Sequence, residues 1–268
     1  MEVGPHTRVL VTGASRGIGR ALAQALAARL CTVGLVARGA DELDRLAADL
    51  EANGAKAIAL PADVGEREQV ERAIERFMDE AGGIDLLVAN AGVAWYGPVR
   101  EMPVEEAERM TKVNWLGTVY AVMAALPQML DRAEGSIVIV SSAAGHRSFP
   151  WAAVYGATKF AQRGFLEALR HELSGTGVSV TGVYPGEVET HLHDDDRAHG
   201  RMPDWYRPES AIPPDRVADS IVSAIEQDKS SVFVPPLTRV LGAAHGASPK
   251  LADAMLRRIL GATSAPRR

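Results

Sequence analysis

A chain of 268 residues with 47% hydrophobic side chains is long enough to bury one large α/β core. Its formal net charge of −5 argues against nucleic acid as a partner, since phosphate-binding faces carry a basic excess. The single cysteine, Cys31, excludes a disulfide framework and a thiolate metal site and points to a reducing compartment. The opening MEVGPHTRVLVTG lacks a basic segment followed by an apolar run and a cleavage site, and no run of 18 apolar residues occurs anywhere. The expectation is a cytoplasmic protein without a transmembrane segment.

Strand-like and helix-like stretches alternate along the chain. RVLVT (8–12) reads as a strand, GRALAQALAARL (19–30) as a helix, TVGLVA (32–37) as a strand and DELDRLAADLEANG (41–54) as a helix closed by Asn-Gly. KAIAL (56–60), IDLLVAN (84–90), GSIVIVSS (135–142), VSVTGVYP (178–185) and SVFV (231–234) are further strands. Helices are expected over 66–83, 104–131, 152–174 and near 215–227. Seven apolar strands with helical crossovers predict a single-domain, Rossmann-type doubly wound α/β fold over 1–268, a seven-stranded parallel sheet flanked by helices. Two regions break the alternation: a polar, aromatic loop at 190–212, and an extension at 235–268 in which KLADAMLRRIL has the spacing of a short helix.

Between the first strand and first helix lies TGASRGIG (12–19), with glycines at 13, 17 and 19. A tight turn there brings backbone N–H groups and a helix N-terminus toward a phosphate, although the spacing is not G-x-G-x-x-G. Farther on come ADV (62–64), ANAG (89–92), VNWLG (113–117), SSAAG (141–145), YGATK (155–159) and YPGEVET (184–190). With these seven motifs in order, the chain from about 8 to 234 resembles the classical short-chain dehydrogenase/reductase family. One departure is Ala89, where the family pattern has an asparagine.

The resemblance implies that Gly13, Ser15, Arg16, Gly17, Ile18 and Gly19 hold a dinucleotide, with Asp63 on the adenine amino group and Val64 lining the adenine site. It places Asn90, Ala91 and Gly92 along the adenosine side, Pro185 and Gly186 under the nicotinamide, and Val188 and Thr190 at its carboxamide. The second strand ends Val36-Ala37-Arg38-Gly39 with no acid until Asp41, which is better placed to cap the following helix. Arg38, with Arg16, suits a 2′-phosphate, so NADP(H) is expected in preference to NAD(H).

Tyr155 and Lys159 are four apart and share one helix face. A free tyrosine, of pKa about 10, is a poor base at neutral pH; lowering it by ~3 units requires roughly 4 kcal/mol of preferential phenolate stabilisation. A lysine one turn away supplies a share of that, and the resemblance adds binding of the nicotinamide ribose by Tyr155 and Lys159. The family's catalytic serine fits Ser142 better than Ser141, and its asparagine, which holds a relay water, fits Asn114. The expected tetrad is Asn114, Ser142, Tyr155 and Lys159, interconverting a carbonyl and an alcohol by hydride transfer. The alternative is an NADP(H)-binding sensor of the same fold without turnover.

His191, His193 and Asp194–Asp196 read as a polar lid rather than a metal site. Ser142, His146, Trp151 and Trp205 are the candidate substrate residues, and Trp95, Tyr96, Phe149 and Tyr206 add to an aromatic pocket for a lipophilic small molecule. Family members pair through the helix before the fifth strand and the helix carrying the tyrosine, so a homodimer is expected, with a tetramer as the alternative.

Overall fold

In the computed structural model, which describes residues 1–203, 206, 209, 211–248, 250 and 252–254, each of the seven apolar runs becomes a strand of one sheet. The strands are β1 (Arg8–Thr12), β2 (Thr32–Ala37), β3 (Lys56–Pro61), β4 (Leu86–Ala89), β5 (Gly135–Val140), β6 (Val178–Pro185) and β7 (Ser231–Val234). All pair in parallel, in the order β3-β2-β1-β4-β5-β6-β7. The order reverses between β1 and β4, and in such sheets ligands bind beyond the carboxyl ends at the reversal.

Successive strand residues point to opposite faces, so both faces need a cover. Val9, Val11, Val138 and Val140 face one core, filled by Leu22 and Leu26 of α1 (Gly17–Ala27), Leu43 and Leu46 of α2 (Ala40–Ala52) and Ile221 of α8 (Pro214–Glu226). Leu10, Ile137 and Ile139 face the other, filled by Ile74 and Phe77 of α3 (Arg67–Ala81), Met129 of α5 (Gly117–Asp131) and Leu166 of α6 (Ala153–Glu172). No helix among the described residues is long and apolar enough to cross a membrane.

The structure corrects one expected helix and fills in two further regions. The helix expected over 104–131 is α4 (Val104–Met110), a π-helical turn (Thr111–Leu116) and then α5. The widened turn belongs to Asn114, whose side chain leaves the helix to bind a neighbouring loop. The 190–212 region is not wholly irregular: a 3-10 turn (His191–His193) runs into α7 (Asp194–Ala198), with the Thr190 hydroxyl accepting from Leu192 N. In the extension, α9 (Thr238–Ala247) packs beside β7, and the Arg147–Asp253 ion pair ties residue 253 to the loop after β5. Most of KLADAMLRRIL lies outside the described residues, although Ala252–Ala254 are helical.

At the amino ends of the strands, Asp85 receives Arg8 N and Nε at 2.8 Å each and Arg132 Nη2 at 2.6 Å. Burial alone would raise its carboxyl, but the two guanidiniums overcome it and hold it at about 2 instead of 3.8. The stabilisation is therefore complete above pH 3.8 and is lost as pH falls through about 2. Asp85→Asn is expected to cost about 2 kcal/mol at pH 7 in urea unfolding, a gap that narrows as pH is taken below 4.

Candidate active site

The glycine loop is locked by the neighbouring strand end. Thr12 Oγ1 accepts from Asn90 N (2.9 Å) and Ala91 N (3.0 Å), while Asn90 Nδ2 donates to Thr12 O (2.9 Å) and Gly13 O (3.3 Å). Asn90 thus grips the loop itself. Two glycines have no substitute in this packing. Gly13 has φ +68° and a Cβ there would stand 2.8 Å from Ala91 Cα; a Cβ on Gly19 would stand 2.1 Å from Gly13 O. Their bare backbone leaves the N-terminus of α1 open to a cavity of about 1300 Å³ lined by Gly13, Ser15, Arg16, Gly17 and Ile18.

That cavity runs along the carboxyl ends of the strands. Arg16, Arg38 and Arg45 line one end beside Asp41 and Glu42; Asp63, Val64, Asn90, Ala91 and Gly92 follow; Pro185, Gly186, Val188 and Thr190 line the stretch beyond. Asp41 is not a helix cap as expected: α2 starts at Ala40, after Gly39, and Asp41 sits in its first turn. Asp63 fixes its own turn, its Oδ1 accepting from Gly65 N at 2.9 Å. A long groove with a helix N-terminus along it fits a dinucleotide, whose phosphates that N-terminus would hold.

At the other end Ser142, Tyr155 and Lys159 reach the same cavity. Ser142 Oγ accepts from Ala144 N (3.1 Å), which leaves its own proton available for another acceptor. Ser141 is engaged otherwise, its Oγ donating to Lys159 O at 2.9 Å. Lys159 Nζ donates to Val140 O (3.2 Å) and lies 5.7 Å from the Tyr155 ring centre. Lys159 Nζ and Asn114 Oδ1 converge beside Gly92, each 3.6 Å from where a Cβ there would stand, an ordinary contact.

Asn114 is fully buried. Its Oδ1 accepts from Val93 N (2.8 Å), and its Nδ2 donates to Val93 O (2.9 Å) and to Thr158 Oγ1 (3.0 Å) on the helix of Tyr155. Its carbonyl accepts from Thr118 Oγ1 (2.9 Å) and Gln162 Nε2 (2.8 Å). Thr118, Thr158 and Gln162 carried no signal in sequence; the last two lie three and seven residues beyond Tyr155 on the same helix.

The electrostatics of the pair differ from the expected lowered tyrosine. Burial pushes the Tyr155 phenol up to about 12, with the Ser142 hydroxyl opposing and the Glu187 carboxylate adding to the rise. Burial also pulls the Lys159 ammonium down to about 7. In the protein alone, desolvation is the largest cause of both shifts.

The candidate substrate residues divide. Phe149, Tyr96, Leu192, His193 and Tyr206 line the cavity beside Tyr155. His146 does not: its ring lies 4.3 Å from Tyr184 and 5.1 Å from Phe233, and burial lowers its pKa to about 4, so it packs as a neutral ring beneath α9. Trp151 is also absent from the wall; its carbonyl accepts from Gly97 N at 3.0 Å and supports the loop after β4. Trp205 lies outside the described residues. Glu187, Arg45 and Arg109, not singled out from sequence, do line the cavity. Glu187 directly follows the Pro-Gly turn, and that position was its available signal. Among the described residues no group of three His, Cys, Asp or Glu could hold a metal.

A model of the short chain dehydrogenase family matches residues 7–200. The chain belongs to this family. It is 39% identical over 220 residues to a glycine betaine reductase of Emericella nidulans, a match covering 81% of this chain but only 17% of the fungal protein. A Burkholderia phymatum short chain dehydrogenase/reductase in complex with NAD superposes with a TM-score of 0.85 at 25% identity, over 94% of this chain and 96% of that one. A Burkholderia cenocepacia short chain dehydrogenase in complex with NADP does so with 0.76 at 27% identity, over 87% and 97%. This short chain dehydrogenase is thus an oxidoreductase acting on CH–OH donors with a nicotinamide cofactor, and the family likeness spans both cofactor forms.

Proposed function

We propose that the protein interconverts a carbonyl and an alcohol with NADP(H), Tyr155 exchanging the proton. One observation carries this reading: Ser142, Tyr155 and Lys159 stand at one end of a cavity whose other end holds Arg16 and Arg38. The cofactor, when bound, supplies or accepts the hydride. The chain's own residues handle the oxygen and its proton. The Ser142 hydroxyl, which accepts from Ala144 N and lies beside the Tyr155 phenol, can donate its proton to the substrate oxygen. As that oxygen gains negative charge in the reductive direction, the phenol of Tyr155 gives up its proton, and burial keeps the phenol protonated until then. Lys159, on the same helix face, offers its ammonium to the phenolate left behind. Asn114 positions both by joining the loop at Val93 to Thr158.

The preference for NADP(H) rests on the guanidiniums of Arg16, Arg38 and Arg45, which can take a 2′-phosphate with charge-assisted hydrogen bonds. Arg38→Asp is expected to weaken NADPH binding by roughly 10–100-fold and NADH binding far less. Nicotinamide fluorescence titration reads both; equal losses, or none, would remove the assignment. A cytoplasmic homodimer remains part of this reading, and sedimentation of the purified protein tests the assembly.

A further inference from the structure

The compartment above Tyr155 contains a carboxylate that the acid–base chemistry does not require. Glu187 is fixed at its backbone, its carbonyl accepting from Ile212 N (3.0 Å). Its side chain lines the cavity. Oε1 accepts from Tyr206 Oη at 2.6 Å and lies 3.5 Å from His193 Nε2. Oε2 has no protein partner among the described residues. Rings surround this group. Tyr96 lies 6.2 Å from Tyr155 and, edge-on, 5.0 Å from His193, which lies 5.7 Å from Tyr206. The wall is held from behind: the carboxylate of Asp196, 1% exposed, accepts from Tyr96 N (3.2 Å) and from Arg201 Nε (2.9 Å).

We propose that this compartment selects a substrate whose non-reacting end is a cation, an alkylammonium group seated against Glu187 among the rings of Tyr96, His193 and Tyr206. The inference rests on the reading of the cavity as a carbonyl–alcohol site and adds the class of molecule it takes. A neutral apolar substrate would remove water from the carboxylate without replacing the lost hydrogen bonds, a cost that grows as the cavity closes. An anionic tail would add direct repulsion from Glu187, and from Asp194 and Asp195, which line the same end.

The cations nearby are already committed. Arg109 on the wall pairs with Glu106 at 2.6 Å, and Arg197 pairs with Asp194 at 3.3 Å while donating to Tyr206 Oη at 2.5 Å. Lys159 sits under the catalytic tyrosine. An alkylammonium group meets the opposite situation: a carboxylate with an available oxygen beside the rings of Tyr96 and His193, while Arg197 already lies 5.5 Å over the ring of Tyr206. With the cation at Glu187, the carbonyl end would reach toward Ser142 and Tyr155, whose hydroxyls line the same cavity as Tyr96.

The test uses two molecules of nearly the same shape, choline and its neutral isostere 3,3-dimethylbutan-1-ol, which differ in carrying nitrogen or carbon at the branched centre. Each is titrated calorimetrically into the full chain saturated with reduced nicotinamide cofactor, so that the ring adds no positive charge. Choline is expected to bind at least 10-fold more tightly, and Glu187→Gln to bring the ratio toward one. Equal binding, or tighter binding of the neutral alcohol, overturns the proposal. A preference that Glu187→Gln leaves intact removes Glu187 from it. Should the variant fail to fold, the comparison on the parent protein decides. Turnover is a separate matter: preferential choline binding in a protein that reduces no aldehyde or ketone would sink the carbonyl–alcohol reading and leave the cation site standing.

Discussion

Tyr155→Phe is expected to lower carbonyl reduction by roughly 10²–10⁴-fold, the usual worth of a positioned acid, with cofactor affinity changed by no more than a few fold. The ring stays, so the packing against Tyr96 survives, and only the proton donor is lost. Single-turnover reduction followed at the nicotinamide absorbance measures the chemical step, and fluorescence titration measures binding. The pH profile separates the tyrosine from the lysine. The buried phenol, at about 12, stays protonated across the neutral range, whereas Lys159, pulled down to about 7, is expected to titrate within it. That step should vanish in Lys159→Met. A Tyr155→Phe protein that keeps its single-turnover rate would remove the tyrosine from the chemistry.

Gly19→Ala should be the most damaging change of one methyl group. The new carbon would stand 2.1 Å from Gly13 O and 2.6 Å from Asn90 Nδ2, so backbone rather than a side-chain tip must move. That displaces the loop that Thr12 and Asn90 hold at the mouth of α1. A cofactor affinity loss on the order of 100-fold is expected, together with a stability loss of about 1–3 kcal/mol typical of overpacking. Gly164→Ala, where nothing lies within 4 Å, is the control; there helix propensity favours the variant by about 0.5–1 kcal/mol. Parallel cofactor titrations and thermal melts of the two variants decide the matter. Equal cofactor affinities would mean that the loop geometry is irrelevant to binding.

Much of the architecture was legible because it is written in short-range patterns. RVLVT and SIVIV announce strands buried on both faces, and Tyr155 and Lys159 share a helix face by spacing alone. What escaped depended on contacts distant in sequence. The π-helical turn at Asn114 exists because the asparagine reaches Val93, 21 residues earlier. His146 follows the same strand end as Ser142, yet a 3-10 turn between them (Ala143–Gly145) rotates it toward Tyr184 and Phe233. Asp41 looked like a helix cap until the helix began one residue before it. Glu187 is one step past a turn that was recognised, and only the fold shows it facing the cavity that holds Tyr155.

The parallel sheet also sets where this protein can change. Asp85 and its two arginines secure the amino ends of the strands, while the cavity and the 190–203 segment lie at the carboxyl ends. Residues that choose the bound molecule, such as Tyr96, Glu187 and His193, therefore stand apart from the clamp that keeps the chain folded. Such a separation lets selection rewrite the one end without drawing on the safety margin held at the other, and a laboratory library confined to the lid would inherit the same freedom.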